Sequence, residues 1–335
     1  MNANTKKNIL LIVSVFLSVL FLWLALRGTD IRRIGVALAN ANLFYVPLLF
    51  ASLYVFLWLK AMRWAITIKP MRPITTAQAM SPTMIGYMGN LILPAYLSEI
   101  ARIYIAGKQF DVSYTGLFTT VLLERLLDFM TFLVFLGVIL IFEQALPDIF
   151  SQLGYLMAVV GLTMLVAVIM LTFHADITLK LAEKTLAIAP ALVREKILGV
   201  VEKLPEGLQS IKSIGLLIKI IALSIIQWIF MGLCAYVALL ALDLDVPVTA
   251  AFIILILITA GMSLPNSPGF FGTIQICFTL GLTPYAVSPD VAFAASLYYH
   301  LSIYVFIVAI GLFYLNKAGY TLAELKKQSL QNVQS

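Results

Sequence analysis

Long apolar runs alternate with short polar segments along the whole chain. Six runs each reach the roughly 20 residues that a helix needs to cross the core of a bilayer, and they lie at about 8–28, 43–63, 115–142, 152–173, 213–241 and 290–315. Two further stretches, at about 74–107 and 249–283, are apolar but broken by Pro and Gly near their middles. This pattern predicts an all-α polytopic membrane protein with about six spanning helices plus two broken segments, or up to eight apparent spans.

The composition indicates the same class of protein. The 335 residues are 62% hydrophobic and 11% charged, whereas soluble domains are roughly 45–50% apolar and about 25% charged. The first apolar run follows Lys6 and Lys7, exceeds the h-region of a signal peptide and precedes no small-residue cleavage site, so we expect a retained span. We therefore expect one integral membrane domain over residues 1–335, with a short cytoplasmic tail at 318–335.

The positions of Lys and Arg predict the orientation of the chain. With the N-terminus in the cytoplasm, most basic residues near span ends fall on the cytoplasmic side, and Arg27, Arg32 and Arg33 fall outside. The cytoplasmic set includes Lys60 and Arg63, at the end of the second apolar run. We expect both termini to be cytoplasmic in a multi-pass protein of the cell (inner) membrane. The net charge of +6 then reflects this topology and not nucleic-acid binding.

The two broken segments occupy corresponding places in the two halves of the chain. Residues of about 1–145 and 150–317 follow the same order of elements with reversed direction, and the second half carries a cytoplasmic amphipathic segment at about 176–212. We favour an inverted-topology repeat with two re-entrant hairpins that meet near mid-membrane, although pairs of short spans are the alternative. In transporters such broken segments mark the substrate site. A coarse resemblance between halves is also common in six-helix proteins.

The first broken segment reads NLILPAYLSEIAR, residues 90–102. Pro94 can end one half-helix, and Glu99 then lies near the start of the next, whose free amides and dipole favour negative charge. Glu99 and Arg102 are three residues apart and share a helix face. The candidates for a substrate site in this segment are Asn90, Pro94, Glu99 and Arg102. The alternative is a loop followed by a surface ion pair.

The third full span carries Glu124, Arg125 and Asp128 in the stretch VLLERLLDFM. Glu124 lies about 13 Å along the predicted helix, where ionisable groups are costly and usually face a bundle interior or a wet cavity. Arg125 can pair with Asp128 or with an acid of the first hairpin. The alternative is a structural ion pair that holds helices together.

The second broken segment reads GMSLPNSPGFFGTIQ, residues 261–275. Irregular backbone at membrane depth is tolerated where it is buried in protein or lines a cavity, and the alternative is the tip of a tight hairpin. The candidate site residues here are Pro265, Asn266, Ser267, Pro268, Gly269, Gly272 and Gln275. We find no metal-ligand set, phosphate-binding loop or nucleophile triad in the sequence, so we expect no cofactor.

Four motifs together resemble one known family. They are KAMRW (60–64), NLILPAYLSEIAR (90–102), LLERLLDF (122–129) and SLPNSPGFFGTIQ (263–275). In this order they are similar to the lysylphosphatidylglycerol synthase transmembrane, or flippase-like, family, over nearly the whole chain. Tyr96 and Ser98 stand where the family usually has a basic residue and a glycine, and Gln275 stands where a glutamate is common.

The resemblance implies a lipid flippase-type protein without the soluble synthase domain of the larger members. We expect movement of a phospholipid or polyprenyl-linked headgroup between leaflets, with Arg102 and Arg125 attracting phosphate. The five charges of Glu99, Arg102, Glu124, Arg125 and Asp128 sum to −1 (two positive, three negative), so a zwitterionic or partly cationic headgroup is as compatible as an anion.

Two other functions stay open at this point. The first is an intramembrane transferase acting on a lipid or polyprenyl-phosphate substrate, with Glu124 or Asp128 as the base. The second is a transporter of small solutes or ions. No soluble catalytic domain is visible, so we expect no enzyme. Membrane lipids are the expected partners and nucleic acid is not, while a homo-oligomer and a partner enzyme of lipid or envelope synthesis are left open.

Overall fold

The computed structural model describes residues 3–92, 97–143, 148–185, 207–262 and 268–322, together with isolated positions at 194, 198–199, 201–202, 204–205 and 324. The described chain is helical. Its α-helices are α1 (Ala3–Leu26), α2 (Ile31–Ala39), α3 (Tyr45–Ile68), α4 (Thr76–Ile92), α5 (Leu97–Phe110), α6 (Tyr114–Phe142), α7 (Asp148–Phe173), α8 (Ala175–Thr185), α9 (Ile214–Leu240), α10 (Val248–Met262), α11 (Thr273–Leu282) and α12 (Pro289–Lys317). Short 3-10 turns lie at Gln209–Lys212, Pro268–Phe270 and Thr283–Tyr285.

The first broken segment folds as an antiparallel helical hairpin. Ser98 of α5 donates a hydrogen bond to the Asn90 side chain of α4, and a Cβ on Gly86 would lie 3.1 Å from the Cβ of Arg102. In each pair the two residues are equally far in sequence from the break, as two antiparallel helices require. The tip of the hairpin, which includes Pro94, lies outside the described residues.

The second broken segment folds in the same way. A Cβ on Gly261 of α10 would lie 2.8 Å from the Thr273 side chain of α11, and one on Gly281 would lie 2.7 Å from the Ile254 side chain. The ten residues of α11 make about 15 Å of helix, well short of the roughly 30 Å core of a bilayer. The turn Pro268–Phe270 contacts α4, so the two hairpins touch.

Contacts between helices recur in the same order in the two halves. In the first half α3 packs on α4, α4 on α5 and α5 on α6, and in the second half α9 packs on α10, α10 on α11 and α11 on α12. Contacts between the halves also have counterparts, because α4 packs on α12 and α10 packs on α6. The most extensive contact joins α3 to α9, which hold equivalent places. This recurrence is what the repeat interpretation predicts, while the repeat limits and the direction of each half in the membrane stay predictions.

Four described helices are long and apolar enough to span a membrane: α3, α7 (over residues 154–173), α9 and α12. Helices α1 and α2, bent by 83° relative to each other, would together make a fifth span. The 29 residues of α6 are long enough at about 43 Å, but α6 carries three ionisable side chains near its middle. Apolar side chains of α7 such as Val159, Leu162 and Val166 stay exposed, as expected of a lipid-facing helix. These findings confirm an all-α polytopic membrane protein.

The end of the second span differs from that expected from the sequence. The second span was expected to end at residue 63, whereas α3 continues to Ile68 and buries Trp64 and Ile68 in the core. Of the amphipathic segment expected at 176–212, the structure describes α8, the turn Gln209–Lys212 and a few isolated positions.

Candidate functional site

Asp128 of α6 is the centre of a buried network that joins three helices. Its Oδ2 accepts from Lys60 Nζ at 2.8 Å and its Oδ1 accepts from Arg63 Nη1 at 2.8 Å, both on α3. From α9, Gln227 Nε2 donates to Oδ1 at 3.1 Å and Trp228 Nε1 at 2.8 Å. Four donors on one carboxylate compensate well for the loss of water around it. Asp128 therefore anchors α6 to the α3–α9 pair.

Glu124 lies one helical turn earlier and links the network to the first hairpin. Its Oε2 accepts from Arg102 Nη1 of α5 at 2.7 Å, and its Oε1 lies 3.5 Å from Arg63 Nη2. The Arg102 guanidinium also stacks on the Trp64 ring, 3.8 Å from the ring centroid, and Trp64 Nε1 donates to Thr120. Arg102, Glu124 and Arg63 are all nearly fully buried.

Several polar atoms in this region have no hydrogen-bond partner among the described residues. They are Nε and Nη2 of Arg102, Nε and Nη2 of Arg63, Oε1 of Glu124 and Oε1 of Gln227. Most buried polar atoms in proteins are hydrogen-bonded, so each exception calls for an explanation. Four of these six atoms are N–H donors of arginine, and one of the four, Arg63 Nη2, lies 3.5 Å from Glu124 Oε1. Such a cluster can receive the oxygens of an anion.

Arg125 and Glu99 form a second cross-link between α6 and α5, by a direct ion pair. The side chains are more open than the rest, with 53% of Arg125 and 23% of Glu99 exposed. Of the two partners predicted for Arg125, the structure selects the acid of the first hairpin, Glu99, and not Asp128. The side chain of Arg125 lies at the rim of the network instead of facing inward as expected. Glu99 and Arg102, which share a helix face, each bind a residue of α6 instead of each other.

The net charge of the site has the opposite sign to the sum over the five charged residues predicted from the sequence. The buried core contains three cations, Lys60, Arg63 and Arg102, and two carboxylates, Glu124 and Asp128, which sum to +1. The rim pair adds one charge of each sign and leaves that sum unchanged. The two residues that were not counted, Lys60 and Arg63, turn a total of −1 into +1.

Lys60 and Arg63 could have been recognised from the sequence. They stand three residues apart in KAMRW and so share one helix face. Their charges were assigned to the membrane interface because the span was ended at 63. In the extended helix, Lys60 lies about 12 Å from the end of α3 and Asp128 about 21 Å from either end of α6. The other donors to Asp128, Gln227 and Trp228, lie in an apolar helix and gave no comparable signal.

The described part of the second hairpin forms a separate polar cluster. His300 of α12 donates from Nε2 to the Gly269 carbonyl at 2.7 Å, and its Nδ1 accepts from Gln275 Nε2 at 3.1 Å. Gln275 Oε1 accepts from the Gly272 amide at 2.7 Å, so the imidazole is neutral. A Cβ on Gly272, where φ is +87°, would lie 2.2 Å from the Ser18 carbonyl of α1.

These bonds bring Gly269, Gly272 and Gln275 together and tie them to α12, while Gly272 packs closely against α1. Gly272 allows the close approach of α1, because a Cβ there would meet the Ser18 carbonyl. Asn90 is also bonded within its own hairpin, to Ser98. The candidates Pro265, Asn266 and Ser267 lie outside the described residues, as does the side chain of Pro268. The two hairpins thus carry two clusters, of which the first is charged and the second neutral.

The described residues hold no group of three His, Cys, Asp or Glu side chains suited to a metal ion. The arrangement can instead bind a charged group by hydrogen bonds from arginine, which are shorter and stronger when the partner is an anion. Both buried carboxylates already accept from cations, which makes them poor bases.

Fold and network together define a multi-pass α-helical membrane protein with ionisable side chains buried between its helices. The family model described as "Lysylphosphatidylglycerol synthase TM region" matches residues 11–311, and the chain belongs to this family. A curated relative, "Glycosyltransferase AglD" of Haloferax volcanii, is 27% identical over 246 residues, which cover 64% of this chain and 39% of that protein. The chain therefore spans about two fifths of that relative's length. No solved structure matches the chain.

Proposed function

We propose that this protein moves a lipid with an anionic, phosphate-bearing headgroup, a phospholipid or a polyprenyl-linked lipid, between the leaflets of the membrane. The observation that carries the proposal is the buried core of three cations and two carboxylates. A net positive charge at membrane depth is costly, and an anion of one charge cancels it. The unpartnered arginine N–H groups provide the donors that such an anion needs.

The rim pair gives the headgroup a place to make its first contact. Arg125 is half exposed and next to the buried core, so a phosphate can bind it in competition with Glu99. Arg102 then lies behind it, held by Glu124 and by the face of Trp64. Arginine suits this role because its planar fork binds two oxygens at once and keeps its charge. The headgroup thus passes from an exposed to a buried arginine while its tails stay in lipid.

The comparisons support a lipid-related function and leave the transferase as the second candidate. The family description names a lipid synthase, and the relative's name is a glycosyltransferase. The match covers 39% of that relative, so its name describes a much longer protein. The engagement of Glu124 and Asp128 by cations weighs against a general base here. We therefore favour translocation, with both termini cytoplasmic in the cell membrane, and a lipid- or envelope-synthesis enzyme as the supplier of its cargo.

The test is a leaflet-exchange assay with the purified chain in vesicles. Tail-labelled phosphatidylglycerol, a polyprenyl phosphate and phosphatidylcholine are compared, and we expect the two anionic lipids to move faster than the zwitterionic one. Arg102→Gln and Arg125→Gln should slow the anionic lipids about 10-fold or more, since hydrogen bonds to charged groups contribute about 1.5–3 kcal/mol. Arg32→Gln removes an exposed arginine of α2 and serves as the matched control.

Two results would contradict the proposal. One is equal movement of all three lipids by the parent. The other is unchanged exchange in both arginine variants at unchanged thermal stability. If the parent moves none of the lipids but transfers a sugar onto the polyprenyl phosphate when a sugar donor is supplied, the transferase replaces the flippase. Arg125 is half exposed, so its variant is expected to fold even if Arg102→Gln does not.

A further inference from the structure

Lys60 differs in one respect from the other cations of the buried core. The guanidinium groups of Arg63 and Arg102 stay protonated at every accessible pH, whereas a lysine can lose its proton. The groups that face Lys60 are Asp128, Glu124 and Arg125 on α6, Arg63 on its own helix, and Tyr87 on α4, with the uncharged Trp228 ring on α9. Among these groups, Lys60 is the cation whose charge can change.

The charge of the core changes with this one proton. With Lys60 protonated the core has a charge of +1, and with Lys60 neutral its charge is 0. Burial of a net charge is expensive unless a partner compensates it. Asp128 is not left alone when Lys60 is neutral, since Arg63, Gln227 and Trp228 still donate to it. The neutral core is therefore a satisfied state when no anion is bound.

We infer that Lys60 takes up a proton when the network binds an anionic headgroup, so that anion binding and proton binding are coupled. This inference rests on the proposed function, because it needs the anion to reach the core. The bound anion supplies the negative charge that the protonated core lacks. The coupling is reciprocal, so a lower pH strengthens anion binding by the same factor by which the anion favours protonation. A pH difference across the membrane can then bias the direction of lipid movement.

This coupling sets the sign of the pH dependence. The anion-bound protein keeps the proton on Lys60, whereas the anion-free protein loses it as pH rises. Affinity for the anion is therefore highest at low pH and falls with rising pH, by up to about tenfold per pH unit for one proton. A zwitterionic lipid of no net charge gives no such slope, because it does not compensate the core.

The experiment measures lipid binding and proton uptake together, on the purified full chain in detergent. The probes are short-chain phosphatidylglycerol, with one net negative charge, and short-chain phosphatidylcholine, with none. Titration calorimetry in pairs of buffers with different ionisation enthalpies, from about pH 6 to about pH 10, gives the protons taken up per lipid bound over a range that reaches the ordinary lysine pKa. Lys60→Arg, which fixes the charge, is compared with Lys69→Arg, the same change at the exposed end of α3.

We expect phosphatidylglycerol to bind the parent and Lys69→Arg with uptake of up to one proton, and to bind Lys60→Arg without uptake and with a flat pH profile. Binding of phosphatidylglycerol without proton uptake at any pH overturns the inference and leaves the proposed function standing. Equal uptake by Lys60→Arg and the parent overturns it as well, because another group then carries the proton. If the parent binds neither lipid, the proposed function fails for phospholipids and the inference fails with it. Two of these outcomes, binding of phosphatidylglycerol without proton uptake and binding of neither lipid, concern the parent alone, so a Lys60→Arg protein that does not fold leaves the inference testable.

Discussion

Replacement of Asp128 by asparagine should destabilise the protein more than any comparable change at its surface. Asparagine keeps the shape of the side chain but removes the charge that compensates Lys60 and Arg63, each 2.8 Å away. The core is left with three cations and Glu124. Loss of one partner from a buried ion pair costs about 3–5 kcal/mol. With an unfolding entropy of about 2.1 cal/mol/K per residue over 335 residues, that loss lowers the Tm by about 4–7 °C.

The assay is thermal unfolding of the purified protein in detergent, followed by tryptophan fluorescence. Trp228 donates directly to Asp128 and reports on the site. The matched control is Asp245→Asn, an exposed aspartate, whose effect should stay within about 0.5 kcal/mol. Addition of Lys60→Met to Asp128→Asn returns the core to +1 and should recover part of the loss. Equal Tm values for the two aspartate variants would refute the reasoning, and so would strictly additive losses in the double variant.

Two further predictions concern the hairpins. Gly272→Ala should lower the Tm by several degrees or prevent folding, because its Cβ would meet the Ser18 carbonyl at 2.2 Å and φ is +87°. The control Gly137→Ala, which has open space around it, should keep the parent's Tm. Similar Tm values for the two variants would contradict the packing of α1 on this turn. Arg125→Gln should lower the free energy of unfolding by about 1 kcal/mol, since the pair with Glu99 is partly exposed. Adding Glu99→Gln to the same chain should restore the lost stability in thermal unfolding. Restoration by a substitution at Asp128 instead would contradict the pairing.

The order of helices and both breaks could be predicted from the sequence because their signals are local. Apolar length sets the spans, and Pro and Gly mark the places where a helix cannot continue. The ends of helices are a weaker signal. Arg63 and Trp64 look like the polar end of a span, but the packing of Trp64 and Ile68 in the core continues α3 by five residues. Local polarity was overridden there by contacts with helices that are distant in sequence.

The position of the end of α3 also decided how the site was interpreted. The sequence indicates five site residues, because each is an ionisable side chain within or next to an apolar run: Glu99, Arg102, Glu124, Arg125 and Asp128. It does not indicate their partners, because pairing depends on how the helices pack side by side. Lys60 and Arg63 belong to a helix whose end was misplaced, and their omission reversed the sign of the site. A charge sum over a membrane site is therefore meaningful only after the spans have been placed to within a turn.

The contacts divide the network into a fixed part and an exchangeable part. Asp128 has four donors from α3 and α9, so a ligand that removed one would leave three. Arg102 of α5 binds α6 through a single carboxylate, Glu124, and Arg125 of α6 binds α5 through a single carboxylate, Glu99. Both pairs therefore join the hairpin helix α5 to α6. Under the proposed function, a phosphate that binds these arginines competes with the two bonds that hold α5 against α6. Headgroup binding therefore weakens the attachment of the first hairpin, while the α3–α6–α9 frame that surrounds Asp128 stays intact.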